Sequence, residues 1–277
     1  MTVAVCLKWV DARPEIDPVS GVVTADDRFA AASPADRTAL EQALRLSDGT
    51  GRDVVVVTAG PAGADVMLRD ALAVGATRAV RVAIDPALDA DAVARAVEPV
   101  VAEADLVLCG GWSLDRGTGS FPAFLAHHLG VAQALGCTRL EVSGGSLSAE
   151  RRLDGGRREE VRLDGRAVVS LEAGAPVRRA SLPAVLAAAD APVEVVVPEA
   201  TAPTRSRLEE RGPYRPRSRE LAPPLGADTR ERLLSLTGAL ADEAPSRALR
   251  ADPGAAADQL LAALAERGVG PEADPVR

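Results

Sequence analysis

Apolar segments alternate with amphipathic segments through the first half of the chain, and this alternation constrains the fold more than any other feature. The apolar segments predict strands at residues 3–10, 54–57, 79–82 and 106–109. The segments after them have apolar residues at helical spacing and predict helices at residues 34–46, 64–73, 90–103 and 120–126. Strands and helices in this order form βαβ units, which build a parallel sheet covered by helices on both faces. We therefore predict an α/β fold with three layers.

A glycine-rich loop joins the strand at residues 106–109 to the helix that follows it. Gly110 and Gly111 end the strand, and Asp115, Gly117 and Thr118 precede the helix. Glycine lets an anion approach the backbone closely, and the N–H groups at the positive end of a helix attract it. The spacing matches neither a Walker A loop nor a G-x-G-x-x-G loop. A phosphate site and an ordinary turn between a strand and a helix are therefore both open at this point.

Composition narrows the possible classes of function. The chain has 277 residues, 47% of them hydrophobic, which suffices for one sizeable core. Its net charge of −8 argues against a nucleic-acid partner. Cys6, Cys109 and Cys137 lack the spacing of metal ligands, and we expect them to be buried, reduced thiols. No apolar run reaches the length of a membrane span, so we expect a cytoplasmic protein without direct membrane insertion.

The pattern changes after Gly136. Short apolar segments separated by glycine-containing turns predict an antiparallel β meander attached to the parallel sheet, with strands at residues 138–142, 148–153, 159–163 and 167–171. Residues 196–228 are rich in proline and arginine and predict an extended arm. Helical periodicity resumes at residues 230–240 and at 255–267, where an apolar face (Leu260, Leu261 and Leu264) must be covered. We expect residues 1–195 to form the α/β domain and residues 196–277 to dock on another subunit.

Recognisable patterns of catalytic side chains are missing from the sequence. No Ser/His/Asp or Cys/His set has a plausible arrangement. We expect the adjacent His127 and His128 to be ordinary helix residues that point to different sides. Lys8, at the end of the first predicted strand, is the only lysine in the chain. These features indicate a protein that binds and positions a nucleotide, with any redox chemistry supplied by a cofactor held largely elsewhere.

Several motifs together resemble those of the β subunits of electron transfer flavoproteins, over nearly the full length of the chain. They include Val5-Cys-Leu-Lys-Trp-Val-Asp11, Ser33-Pro34 at a helix start, Thr58-Ala-Gly-Pro61 and Thr118-Gly119. The most specific motif is Arg151-Arg-Leu-Asp-Gly-Gly-Arg-Arg-Glu-Glu-Val161, which is close to the family's signature meander. Arg166 stands where the family usually has proline. The segment from Pro176 to Leu186 is similar to the one through which the family docks its electron donors.

The resemblance implies a Rossmann-like fold of the adenine-nucleotide α-hydrolase-like type and a heterodimer with an FAD-carrying α subunit. It also implies a structural AMP in the β subunit, whose contacts fall by position on Cys6, Ser33, Ala59, Gly110, Asp115, Gly117 and Thr118. A donor dehydrogenase would dock on the segment that contains Leu182, our candidate for the anchor residue. The protein would then be an electron-carrier subunit rather than a self-contained catalyst.

Three departures from the family pattern bear on the details. The loop before Thr118 is shorter than in most members, with Asp115-Arg-Gly117 in its place, so AMP, a second FAD and an empty site are all compatible with it. Ala187-Ala-Ala-Asp190 replaces a lysine cluster, which indicates donors other than the dehydrogenases of fatty-acid oxidation. Ser33 replaces the common asparagine. The short loop is similar to that of β subunits encoded beside the mycofactocin redox system.

Two other classes of function compete with this interpretation. A stand-alone nucleotide-binding protein of the universal-stress type shares the sheet, but residues 137–277 count against it because that fold has neither a meander nor a long arm. An adenylating or ATP-pyrophosphatase enzyme needs a pyrophosphate loop. The candidate Ser143-Gly-Gly145 lacks the following aspartate and helix.

Overall fold

A computed structural model of the chain describes residues 2–85, 87–143, 146–174, 176–199, 204, 206, 223–224, 226–237 and 251–266. The strands are β1 (Thr2–Cys6), β2 (Trp9–Asp11), β3 (Glu15–Ile16), β4 (Val23–Thr24), β5 (Ala30–Ala32), β6 (Asp53–Ala59), β7 (Arg78–Val82), β8 (Leu106–Gly110), β9 (Ala132–Ser143), β10 (Ser146–Arg152), β11 (Arg158–Leu163), β12 (Ala167–Leu171) and β13 (Glu194–Val196). The helices are α1 (Pro34–Thr50), α2 (Asp65–Ala73), α3 (Ala90–Val101), α4 (Phe121–Leu129), α5 (Leu182–Ala189), α6 (Thr229–Leu236) and α7 (Pro253–Glu266). None of these helices is both long and apolar enough to cross a membrane.

Among the described residues, nine strands form one sheet in the order β11-β10-β9-β12-β8-β1-β6-β7-β13. Neighbouring strands from β9 through β13 in this order are parallel, whereas β10 is antiparallel to both of its neighbours. This arrangement confirms the predicted Rossmann-like, three-layer α/β fold.

The central strands are apolar on both faces because helices cover both sides of the sheet. Val3 and Val5 of β1 belong to an apolar cluster that includes residues of α1 and α2, and Ala4 and Cys6 belong to a second cluster with α3 and α4. Helix α5 packs on α2. The predicted cap of α3 is present, since the Asp89 side chain accepts a hydrogen bond from the Ala92 amide. Ser33, the predicted cap of α1, precedes the helix but makes no capping hydrogen bond with its side chain.

The predicted first strand, residues 3–10, is divided in the structure. Strand β1 ends at Cys6, and Trp9 begins β2, which pairs with β5 in a separate two-stranded sheet. The division occurs at Lys8, whose backbone N–H donates to the carboxylate of Asp36 at 3.1 Å instead of to a neighbouring strand. A single apolar run therefore contributes one strand to each of two sheets.

The fourth strand predicted for the meander lies in the parallel sheet instead. Strand β12 is parallel to both β8 and β9 and lies between them. All five of its residues are buried, whereas β11 alternates between exposed and half-buried residues before its last position. A strand covered on both faces is largely apolar, and Ala167–Leu171 is apolar except for Ser170, whose buried hydroxyl accepts a hydrogen bond from the Gly136 backbone N–H. The antiparallel part of the sheet is therefore β9, β10 and β11.

Two compact units divide the chain, residues 1–215 and 216–277. In the second unit, the bounds of α6 and α7 are close to those of the helices predicted at residues 230–240 and 255–267. Leu233 and Leu236 of α6 and Leu260 and Leu261 of α7 are exposed. Most of the predicted arm, residues 196–228, lies outside the described residues.

We expect Leu171→Ala to lower the free energy of unfolding of the full chain by about 2–5 kcal/mol, because it leaves a void in a closed core. Leu171 is fully buried at the end of β12. Leu182→Ala is the matched control: it removes the same atoms from an exposed position and should change the free energy of unfolding by less than about 0.5 kcal/mol. Denaturant unfolding followed by circular dichroism measures both. Equal, small losses would contradict an interior position for β12.

Candidate functional site

A cavity of about 660 Å³ opens beyond the carboxyl ends of the central strands. We call Cys6, Ala59, Cys109 and Gly110, which line it from β1, β6 and β8, the cavity floor. The first turns of α3 and α4 line it from the side. Ligands of open α/β sheets bind in this place, because the strand ends and the amino ends of the helices converge there.

The loop from Gly111 to Gly119 forms one wall of the cavity and is tied down at two points. Lys8 Nζ lies 2.7 Å from the carboxylate of Asp115 and 3.3 Å from Ser113 Oγ. The Arg116 guanidinium donates to the carbonyl oxygens of Ala87 and Leu88 just before α3. Burial raises the pKa of Asp115, but the hydrogen bonds from Lys8 and Ser113 outweigh it and hold that pKa below its ordinary value. The loop therefore carries an ionised carboxylate that is already paired with the lysine.

Asp36 connects this site to the start of α1. Its carboxylate accepts hydrogen bonds from the backbone N–H groups of Lys8 and Gly110, both at 3.1 Å, and from Ser33 Oγ at 2.9 Å. Burial raises the pKa of Asp36 to about 6, although each of these hydrogen bonds lowers it. The Ser33-Pro-Ala-Asp36 sequence has the spacing of a capping box, so the sequence held a signal for this residue that our prediction did not use.

Gly110 is required by the close approach of β8 to α1. A Cβ atom at this position would lie 2.3 Å from Asp36 Oδ1 and 2.8 Å from the Asp36 backbone nitrogen. Gly119 has φ +61° and lies against the carbonyl oxygen of Gly111, which would be 2.5 Å from an added Cβ. The glycines that the sequence places in this loop thus serve backbone packing as well as access to the cavity.

Of the seven predicted nucleotide contacts, four line the cavity: Cys6, Ala59, Gly110 and Thr118. The other three do not line it. Ser33 is fully buried and donates to Asp36, Asp115 pairs with Lys8, and Gly117 lies in the loop with φ +63°. The roles of all seven as nucleotide contacts stay predictions.

Sequence reasoning missed the aromatic and histidine content of the cavity. Both tryptophans and two of the three phenylalanines line it: Trp9, Trp112, Phe121 and Phe124. His127 and His128, which we expected to point to different sides of a helix, both line it as well. His128 Nε2 lies 2.7 Å from Asp91 Oδ1, and this hydrogen bond holds the pKa of Asp91 below its ordinary value. Phe121, Phe124, His127 and His128 share α4, whereas Trp9 and Asp91 are far from them in sequence and only the fold brings them to the same cavity.

Helix α5 forms a second candidate site, since three of its large apolar side chains are exposed among the described residues: Leu182, Val185 and Leu186. Leu182 is 71% exposed and Leu186 is 66% exposed. The segment before α5 is fixed to α1, because the guanidinium of Arg178 pairs with the carboxylates of Glu41 and Asp48 and its backbone N–H donates to Glu41. Burial raises the pKa of Glu41, but Arg178 outweighs this and holds it below its ordinary value. An exposed apolar helix held on a rigid base suits docking of a partner.

Comparisons with known proteins agree with the resemblance in the sequence. A family model described as an electron transfer flavoprotein domain matches residues 21–201. The chain is 35% identical over 196 residues to the electron transfer flavoprotein subunit beta of Bradyrhizobium diazoefficiens, which covers 69% of this chain and 78% of that relative. It is 32% identical over 212 residues to Protein FixA of Azorhizobium caulinodans, which covers 71% of this chain and 74% of that relative. A similar subunit beta from Mycobacterium tuberculosis is 34% identical over 129 residues, or 43% of this chain and 48% of that relative.

The ionisation of Asp36 should be visible in the pH dependence of stability. Because its folded-state pKa of about 6 exceeds the ordinary value of 3.8, the folded chain holds a proton that the unfolded chain releases between these values. The free energy of unfolding should therefore fall by up to about 3 kcal/mol as pH rises from about 4 to about 6. Asp36→Asn should remove this slope.

The matched control is Asp154→Asn, at an exposed turn. Denaturant unfolding at a series of pH values gives the slope for each protein. The control should keep the slope of the unaltered chain. A slope that is the same in Asp36→Asn and in the unaltered chain would mean that Asp36 is ionised throughout.

Proposed function

Because this chain belongs to the electron transfer flavoprotein family as a β subunit, we propose that it is one half of a heterodimeric electron carrier whose α subunit holds FAD. The observation that carries the proposal is the cavity beyond the carboxyl ends of β1, β6 and β8, together with the exposed helix α5 on a fixed base. One site suits a nucleotide and the other suits a protein partner. We propose that the chain acts as a carrier subunit.

We propose that the cavity holds AMP. The amino end of α4, Thr118 and Ser120 provide hydrogen-bond donors and a positive helix end for a phosphate, and Arg116 adds positive charge nearby. The apolar floor and the aromatic side chains around it suit a purine ring. The volume of about 660 Å³ lies within the usual range for small-molecule sites. A second FAD in this cavity is the alternative, and it is separated from AMP by the nucleotide content of the purified protein.

The redox chemistry belongs to FAD in the α subunit, which accepts and donates electrons there when bound. This chain contributes binding surfaces. We propose that residues 196–277 form a separate arm and helices that dock on the α subunit. The leucines of α6 and α7 (Leu233, Leu236, Leu260 and Leu261) support this, because each is more than half exposed.

We propose that a cytoplasmic donor dehydrogenase docks on α5 with Leu182 as the anchor. A single large apolar side chain on a rigid element can seat in a partner pocket while the flavin domain stays free to move. The short loop from Ser113 to Gly119, together with Ala187-Ala-Ala-Asp190 in place of the lysine cluster after the docking leucine, supports a donor associated with the mycofactocin system.

Co-expression with the α subunit tests the heterodimer. A stable yellow complex with one FAD for each pair of subunits, seen in size-exclusion chromatography with absorbance at flavin wavelengths, is the expected result. A colourless homodimer of this chain that binds ATP would instead support the universal-stress-type alternative. ATP turnover by the isolated chain would support an adenylating enzyme.

We expect Leu182→Ala to slow reduction of the heterodimer by its dehydrogenase at least about tenfold, which corresponds to loss of about 1.4 kcal/mol at one interface residue. The amount of bound FAD should be unchanged, because Leu182 is on the surface of this chain and the proposed FAD site is in the α subunit. Ile16→Ala, at an exposed apolar residue of β3, is the matched control and should leave the rate unchanged. Stopped-flow absorbance measures flavin reduction. Loss of flavin in Leu182→Ala would mean that the residue is structural.

A further inference from the structure

Two of the three cysteines lie side by side on the cavity floor. Strands β1 and β8 are parallel neighbours, and their register pairs Cys6 with Cys109. Both side chains belong to the apolar cluster on the α3 and α4 side of the sheet, and both line the cavity. Cys137 lies on β9 in the cluster on the opposite face. Only Cys6 and Cys109, among the three cysteines, therefore lie on the same face of the sheet and line the cavity.

The spacing of paired strand residues suits a covalent link between these cysteines. Neighbouring strands are about 4.8 Å apart, and disulfides join Cα atoms separated by about 4.4–6.8 Å. The neighbouring Cys6 thiol and burial together raise the pKa of Cys109 well above its ordinary value of 9.0. Cys109 therefore keeps its proton. Cys6 is the more exposed of the two, at 7% against 1%, and it is the thiol placed to react first.

We propose that Cys6 and Cys109 form a redox-sensitive dithiol on the cavity floor, which a small hydroperoxide entering the cavity converts to a disulfide. The reduced pair is compatible with a ligand above it, since the floor residues are small. The disulfide joins the ends of β1 and β8 covalently at the place where Asp36 holds them by hydrogen bonds.

The reaction balances in two steps. The Cys6 sulfur loses its proton and attacks one oxygen of the hydroperoxide, so that the O–O bond breaks, a sulfenic acid forms on Cys6, and the other oxygen leaves with the proton as an alcohol or water. The Cys109 sulfur then attacks the Cys6 sulfur. The S–S bond forms, the S–O bond breaks, and the hydroxyl group leaves with the Cys109 proton as water. The two thiols lose two electrons, and the hydroperoxide gains them.

Peptide mapping tests the pair directly, because trypsin places the three cysteines on separate peptides, residues 1–8, 96–116 and 117–139. The full chain is treated with hydrogen peroxide, denatured in the presence of an alkylating reagent that blocks the remaining free thiols, and digested with trypsin. We expect a cross-linked peptide that joins residues 1–8 to 96–116 and disappears after reduction. A cross-link to residues 117–139, or oxidation of Cys6 without any cross-link, would overturn the proposal.

Matched variants separate the pair from general oxidation. Cys137→Ser should form the cross-link as the unaltered chain does, and Cys6→Ser should lose it and leave Cys109 reduced. A trivalent arsenical, which binds two adjacent thiols, provides a measurement on the unaltered chain that does not depend on how a variant folds. It should consume two of the three thiols with a stoichiometry of one arsenical per chain. Consumption of no thiols would count against an accessible pair.

The link to the nucleotide rests on the proposed function and has its own readout. AMP present at about ten times its Kd should slow formation of the cross-link about tenfold, because the thiols then react only in the free fraction of the protein. A cross-link that forms at the same rate with and without AMP would contradict AMP binding over the floor, and the dithiol itself would still stand.

Discussion

The carboxylate of Asp36 is the interaction on which the geometry of the site depends. It accepts hydrogen bonds from the backbone of Lys8, where the chain leaves β1, and of Gly110, where β8 ends. It also accepts from Ser33 Oγ at the start of α1. One buried group thereby fixes two strand ends and one helix start relative to each other. Burial of an acidic group is costly unless its oxygens are satisfied, and three donors on three segments satisfy this one.

The neighbouring features of the cavity follow from this junction. Because Gly110 must pass within van der Waals contact of Asp36, no side chain is tolerated there, and β8 delivers its loop directly over the floor. Because the Lys8 backbone is held by Asp36, its side chain is directed to Asp115 in the loop. Arg116 then joins the loop to the residues before α3. The Lys8 and Asp115 side chains are each more than a third exposed, so their ion pair positions the loop more than it stabilises the fold.

The spacing of apolar residues predicted the parallel sheet and its helices, because the signal for each strand or helix lies within that segment of the sequence. The position of β12 was predicted wrongly, since glycine-containing turns on both sides of residues 167–171 are equally compatible with a meander and with a return to the sheet. Its uninterrupted burial distinguishes the two only in the folded chain. The cavity likewise has features that only the folded chain reveals. The glycine-rich loop was visible in sequence, whereas the contact between His128 and Asp91 and the pairing of Cys6 with Cys109 depend on tertiary register.

The most direct test of the proposed β-subunit function is the nucleotide content of the purified heterodimer. Nucleotides released by denaturation are separated by chromatography and counted against the protein. The proposed function, with AMP in the cavity of this chain and FAD in the partner, predicts one AMP and one FAD per heterodimer. Two FAD molecules with no AMP, or one FAD with no second nucleotide, would contradict AMP as the ligand of this cavity.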